Sequence, residues 1–122
     1  MHTDDPRPDT AAAAEELASA PASGLLAALD RHVRDDELVV CLAPGETAAG
    51  KGLLALTNER LLFTTPGGVD VIPLDRVTAV AWKGLLVGVV SIAQGANATT
   101  VKAVPKTDGQ RFAEAARAAI GA

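Results

Sequence analysis

Between residues 37 and 104, short apolar segments alternate with polar or glycine-containing turns. The segments predict seven strands, at residues 37–43, 53–57, 60–65, 69–72, 77–83, 85–93 and 98–104. Turn signals separate them, among them Pro44-Gly45, Thr57-Asn58-Glu59 and Pro66-Gly67-Gly68, and Lys83-Gly84 is read as a further tight turn. Short strands at this regular spacing are typical of an antiparallel sheet.

A helix is predicted at the end of the chain, where the apolar spacing changes to steps of three and four. Thr107 and Gln110 match a capping box, so the helix is expected to begin near Asp108. One apolar stripe follows, made of Phe112, Ala115, Ala116, Ala119 and Ile120. The stripe predicts that the helix lies on the sheet.

The N-terminal part is predicted to have two sections before a domain at residues 37–122. Residues 1–22 are rich in alanine and acidic residues and predict a flexible extension. Residues 23–36 predict an amphipathic helix, which Ser23 caps and in which Leu25, Leu26, Leu29 and Val33 share one face. That face packs on its own domain, or Leu25 and Leu29 contact a partner or a second copy.

Composition narrows the class of protein. The chain has 122 residues and a net charge of −4, which fits one domain and argues against nucleic acid as a partner. Residues 1–9 lack a basic region followed by an apolar one, and no apolar run reaches the roughly 18 residues of a membrane span, so we expect a soluble, cytoplasmic protein. The single cysteine, Cys41, lies in an apolar run and is expected to be a buried, reduced thiol.

Candidate catalytic chemistry does not emerge from the residue pattern. Cys41 has no neighbouring histidine, and Asp35-Asp36-Glu37 lacks the glycine and alternating oxygen ligands of a calcium loop. The glycines at positions 45, 50 and 52 do not complete a phosphate-binding loop. We therefore expect a noncatalytic protein without a cofactor or a bound metal.

Three segments carry a resemblance to a known family. They are residues 52–63 (GLLALTNERLLF), residues 72–77 (IPLDRV) and the final helix with Phe112-Ala113. Over about residues 37–120 the chain resembles bacterial pleckstrin-homology-like domains of the YokE type, which are akin to GRAM domains. The resemblance implies a mainly β, α+β fold: a bent, seven-stranded antiparallel barrel capped by the C-terminal helix. It also implies a binding or assembly platform.

The resemblance places a headgroup site among the loops at residues 44–51, 65–68 and 93–98. Lys51 is the single basic residue in those loops, so tight phosphoinositide binding is not expected. Our first hypothesis is a module for protein–protein interaction or self-association, which uses a sheet edge or the N-terminal helix. The alternative is a weak sensor of anionic membrane surfaces or small anionic ligands, which uses Lys51 and Lys83.

Two further features leave their interpretation open. Trp82 shares a strand face with Val80, which suits a buried or half-buried position, but a lone tryptophan beside Lys83 also suits a partner contact. Lysines 51, 83, 102 and 106 with Arg60 and Arg76 form a modest basic patch if the fold brings them together. The candidate contact residues are Lys51, Trp82, Lys83, Leu25 and Leu29.

Overall fold

The computed structural model describes residues 7–18, 20–21 and 24–121. Two short helices come first, then seven strands, then a longer helix. The elements are α1 (Pro8–Glu15), α2 (Leu25–Asp30), β1 (Val39–Thr47), β2 (Gly50–Thr57), β3 (Arg60–Thr65), β4 (Gly68–Pro73), β5 (Ala79–Gly84), β6 (Val87–Gln94), β7 (Asn97–Pro105) and α3 (Lys106–Ala119), with a 3₁₀ turn at Leu74–Arg76.

The seven strands form one antiparallel sheet in the order β4-β3-β2-β1-β7-β6-β5. Its two halves meet where Glu46 of β1 pairs with Lys102 of β7. The sheet bends but does not close, because β4 and β5 are its two edges. The predicted bent, seven-stranded antiparallel barrel with a C-terminal helix is confirmed, as one bent sheet that stays open.

The inner side of the sheet holds the main core, and α3 packs there. Phe112, Ala113 and Ala116 of α3 are buried together with inward-facing residues of the strands, such as Leu54 and Val90. The buried face of α3 therefore includes Ala113, whereas Ala119 of the predicted stripe is exposed.

A second core covers the outer face of β1, β2 and β3. There α2 places Leu25 and Leu29 against outward-facing residues that include Leu42, Leu53 and Leu62. Strand side chains alternate between faces, so β2 is buried on both sides, which explains its nearly uninterrupted apolar sequence. The interpretation that this leucine face packs within its own chain agrees with the structure.

Three of the predicted boundaries are wrong. Strand β1 continues through Pro44, which pairs with Leu53 of β2. The pairing of β1 with β7 is at Glu46 and not at Pro44, so the missing N–H of Pro44 is tolerated. The tight turn falls at residues 85–86, not at Lys83-Gly84. Helix α3 begins at Lys106 after Pro105 and has no side-chain cap, so the capping box does not form.

The N-terminal elements differ in length from the prediction. Helix α2 is Leu25–Asp30, much shorter than residues 23–36, and Ser23 lies outside the described residues. Residues Pro8–Glu15, within the predicted flexible extension, form α1, which packs on β1. The division at residue 22 and the flexibility of residues 1–22 stay predictions.

A buried ion pair fastens the segment after α2 to the β2–β3 turn. The Glu37 side chain is fully buried, and its two carboxylate oxygens accept hydrogen bonds of 2.8 Å from Nε and Nη2 of Arg60. Thr57 donates to the same carboxylate, and Arg60 also donates to the His32 carbonyl. The hydrogen bonds from Arg60 lower the pKa of Glu37 to about 2, although burial opposes the shift.

Candidate binding surface

Acidic and basic residues are segregated along the chain. No Asp or Glu occurs between Asp75 and Asp108, and residues 76–107 carry four basic residues, Arg76, Lys83, Lys102 and Lys106. That segment has a charge of +4, whereas the rest of the chain has −8. It contains β5, β6 and β7 in full, so one half of the sheet is basic and free of acids.

The outer face of this basic half is open to solvent. The N-terminal helices pack on β1, β2 and β3, and the inward-facing residues of the other half, such as Val80 and Val101, belong to the main core. Many of its outward-facing positions carry small or polar side chains, with alanines 79, 81 and 98, Ser91 and Thr100 all exposed. A partner surface can therefore approach the backbone closely here.

A row of three lysines crosses the outer face of the sheet. Lys51 of β2 lies opposite Glu46 of β1, and Glu46 lies opposite Lys102 of β7. On the far side of Lys102, Val89 of β6 separates it from Lys83 of β5. Neighbouring strands lie about 4.8 Å apart, so successive lysines are separated by about 10 Å. The sheet thus brings the predicted contact residues Lys51 and Lys83 onto one row, with Lys102 between them, and all three side chains are exposed.

A β-bulge lies within this lysine row. Gly88 pairs with Val104 and Val90 pairs with Val101, so two residues of β7, Lys102 and Ala103, oppose one residue of β6. The φ angle of Ala103 is 56°, in the left-handed region that residues other than glycine rarely adopt. Bulges of this kind change the direction of neighbouring side chains, here that of Lys102.

The β5–β6 turn exposes three consecutive apolar side chains at the end of the lysine row. Residues 85–87, which we call the hairpin tip, are Leu85, Leu86 and Val87, with 85%, 84% and 56% of their surface exposed. Lys83 precedes the tip by two residues. Lys106 lies beside it, because its backbone N–H donates to the Leu86 carbonyl over 3.0 Å. The sequence pattern predicts a strand from residue 85 to residue 93 and therefore misses this turn.

Two glycines face each other at the base of the hairpin tip. Gly84 pairs with Gly88, and a Cβ atom added to Gly88 would lie 2.0 Å from the carbonyl oxygen of Lys83. A Cβ atom added to Gly84 would lie 2.5 Å from the Gly88 Cα. The close approach of the two strands therefore requires glycine at both positions.

Trp82 lies on the inner side of β5 and is half-buried. Its indole Nε1 donates to the Val104 carbonyl over 3.2 Å, and its ring packs on Gly109 of α3. The exposed edge of the ring borders a cleft of about 240 Å³ that Glu114 and Arg117 also line. Trp82 and Lys83 therefore face opposite sides of the sheet, and a partner contact by Trp82 stays a prediction.

Leu25 and Leu29 do not form a free surface. Leu29 is fully buried and Leu25 is 6% exposed, both within the second core. A contact of these two side chains with a partner is not supported by their burial in this structure.

The loops that the resemblance indicated do not gather cations. A cleft of about 780 Å³ lies between the β1–β2 turn, β4 and β7, and its charged residues are Glu46, Asp70 and Lys102. Lys51 lines a separate cleft of about 290 Å³ with mostly apolar neighbours such as Leu25 and Pro44. Neither cleft offers the converging donors that a phosphate group requires.

Other chemistry is sparse among the described residues. Within residues 7–18, 20–21 and 24–121 no three His, Cys, Asp or Glu side chains come together as metal ligands would. No helix in the described part of the chain is long and apolar enough to cross a membrane. Cys41 is buried, and burial raises the pKa of its thiol to about 11.

Comparison with known protein families gives a match. A sequence model of a family described as bacterial PH domain matches residues 33–118, which is more than half of the chain. The matched region contains all seven strands and nearly all of α3, whereas α1 and α2 precede it. No curated protein matches the chain.

Proposed function

Since the chain belongs to the bacterial pleckstrin-homology (PH) domain family, we propose that it binds negatively charged partner surfaces through the lysine row. Members of this family are generally noncatalytic binding modules. The observation that carries this proposal is the charge segregation. Residues 76–107 contain no acid, and Lys83 and Lys102 of this segment stand in one row with Lys51. A cytoplasmic location is part of the proposal.

The net charge of −4 does not oppose such binding, because the local field decides which surface meets an anion. Each lysine close to an anionic surface contributes about 1 kcal/mol. Three lysines, offset in part by Glu46, therefore give a weak and reversible interaction. Since the Debye length is about 10 Å at 0.1 M salt, similar to the spacing of the lysines, the interaction should weaken strongly between low and physiological salt.

Two classes of partner fit the lysine row: an acidic protein surface and an anionic lipid surface. The small outward-facing side chains around Ser91 and Thr100 let a surface of either class approach the backbone closely. Self-association of two identical copies of this face would oppose lysine to lysine. A second copy would instead have to present its acidic half, so self-association is a head-to-tail arrangement in this proposal.

The test compares two pairs of charge removals. Lys83→Gln/Lys102→Gln removes two members of the row, and Arg31→Gln/Arg117→Gln removes two exposed cations outside both the row and the basic segment. Binding is measured on polyglutamate resin and by co-sedimentation with phosphatidylcholine vesicles with and without 30% phosphatidylserine, at low and physiological salt. We expect the lysine pair to weaken binding about tenfold or more at low salt, and the arginine pair to leave it unchanged. Equal losses in the two pairs would mean that net charge, not the row, governs binding.

A further inference from the structure

We propose that the hairpin tip inserts into the interfacial layer of an anionic lipid bilayer, with Lys83 and Lys106 at the level of the headgroups. This inference rests on the proposed recognition of negative surfaces and names the partner as a lipid membrane. It depends on a separate observation, the exposure of Leu85 and Leu86, which are 85% and 84% accessible.

The exposure of the tip is unusual within this chain. Other leucines of the strands, such as Leu53 and Leu62, are fully buried in the cores. Leu85 and Leu86 project beyond the glycine pair at the end of a hairpin, so they contact little of their own domain. Adjacent cations and projecting aliphatic side chains together suit a membrane interface, which offers hydrocarbon below and anionic headgroups above.

The residue types at the tip favour lipid over protein as the occupant. Interface hot spots are enriched in Trp, Tyr and Arg, and leucine is under-represented among them. The tip has no aromatic side chain and no polar side chain that would specify a protein pocket. A bilayer requires only apolar area and nearby positive charge, and the tip supplies both.

One backbone carbonyl at the tip is already paired within the protein. The Leu86 carbonyl already accepts a hydrogen bond from the Lys106 N–H, so it needs no water. Val87 pairs with Pro105, and the glycine pair fixes the base of the hairpin. Insertion therefore orders little additional chain, which lowers the entropic cost of binding.

In this arrangement the lysine row and the hairpin tip contact the bilayer at two different depths. The tip supplies hydrophobic anchoring, whereas Lys83 and Lys106 lie at the headgroup level on either side of it. Lys102 and Lys51 are farther along the outer face and act through the field above the membrane. This separation predicts that leucine and lysine substitutions weaken binding by different mechanisms, since only the lysine effect depends on salt.

The first experiment measures partitioning of the full chain onto vesicles of phosphatidylcholine with 30% phosphatidylserine. We expect Leu85→Ser/Leu86→Ser to weaken partitioning about 100-fold at every salt concentration, the effect of withdrawing two partly inserted leucines. The matched control is Leu38→Ser/Val40→Ser, which removes two other exposed aliphatic side chains, 57% and 50% accessible, at the start of β1. The control should bind like the wild type. Circular dichroism of both variants checks that they are folded.

A second experiment measures depth directly. Leu86→Cys, in a Cys41→Ala background, carries a bimane label at the tip, and Val71→Cys in the same background carries it on β4. Lipids brominated on their acyl chains should quench the label at position 86 and leave the label at position 71 unquenched.

The outcomes separate the two proposals. If the leucine pair binds vesicles like the wild type and the label is unquenched, while Lys83→Gln/Lys102→Gln abolishes binding, insertion is wrong and the charge recognition stands. If vesicles are not bound at low salt but polyglutamate resin retains the protein through the lysines, insertion is again wrong and the partner is an acidic protein. If neither vesicles nor resin are bound, both proposals are wrong.

Discussion

The buried Glu37–Arg60 pair gives the sharpest stability prediction. The pKa of Glu37 falls from its ordinary value of 4.5 to about 2, chiefly because Arg60 donates two hydrogen bonds to the carboxylate. This fall from 4.5 to about 2 corresponds to about 3 kcal/mol of folding stability. Neither partner is solvated well enough to weaken this coupling, since the Glu37 side chain is fully buried and that of Arg60 is 14% exposed.

The sign of the pH dependence follows from the direction of the shift. The folded protein binds this proton less readily than the unfolded chain, so the carboxylate stabilises the fold above pH 4.5. This contribution is lost as the pH falls from about 4.5 to about 2. Glu37→Gln removes the charge, keeps the shape of the side chain and leaves Arg60 buried beside a neutral group. We expect the variant to be less stable by about 3 kcal/mol at pH 7.

The assay is urea unfolding followed by far-ultraviolet circular dichroism, from pH 7 down to pH 3. The difference in unfolding free energy between wild type and Glu37→Gln should be largest at pH 7 and should shrink below pH 4.5. Glu59→Gln is the matched control, because Glu59 pairs with Arg34 over 2.6 Å in a solvent-exposed bridge. It should change stability by less than about 1 kcal/mol. A constant difference across this pH range, or equal effects of the two variants, would refute the reasoning.

Two further predictions concern the inner core. Gly109→Ala should destabilise the protein and change the fluorescence of Trp82, because the added Cβ would lie 2.1 Å from Cδ1 of the indole. This clash outweighs the gain of about 1 kcal/mol in helix propensity. Thr107→Ala, at an exposed position of the same helix that does not line the cleft beside Trp82, should leave the spectrum unchanged. Cys41 should react with a thiol reagent within minutes in urea but should resist it in the folded protein at pH 8. The reason is that burial raises the pKa of its thiol to about 11. Fast reaction of the folded protein would contradict this prediction.

The sequence pattern predicts the number of strands well, because the signal for each strand lies in its own residues and in the turns beside it. The apolar alternation of residues 60–65 and the polar Asn58-Glu59 turn before them need no distant partner to be recognised. The errors arose where a local signal was overruled by pairing. Pro44 reads as a strand end, yet β1 continues through it because that position has a partner on one side, β2. Gly84 reads as a turn, yet it serves as the narrow base of a hairpin whose turn comes one residue later.

The lysine row could not be predicted from local patterns. Lys51, Lys102 and Lys83 become neighbours because β1 pairs with β7, a contact between strands that are distant in sequence. One signal was nevertheless present in the sequence, namely the absence of acids from residues 76–107. Reading the charges as a distribution along the chain, instead of residue by residue, would have indicated the basic half of the sheet.

The two halves of the sheet use their outer faces in different ways, and the sequence explains why. On β2, both alternating sets of positions are apolar, so the outer set, with Leu53 and Ala55, requires the cover that α2 provides. On β5, the outer set is Ala79, Ala81 and Lys83, which can remain in water without a penalty.

The hairpin tip does not follow this rule, because its side chains are both apolar and exposed. Leu85 and Leu86 are as apolar as the covered residues, yet they contact little of their own domain and so contribute little to folding. Leu85→Ser/Leu86→Ser should therefore leave the unfolding free energy unchanged within about 0.5 kcal/mol, the range for surface substitutions. If urea unfolding instead showed a loss comparable to that of Glu37→Gln, the tip would be part of the core and its exposure would not indicate a binding role. Unchanged stability together with lost vesicle binding would assign these side chains to recognition alone.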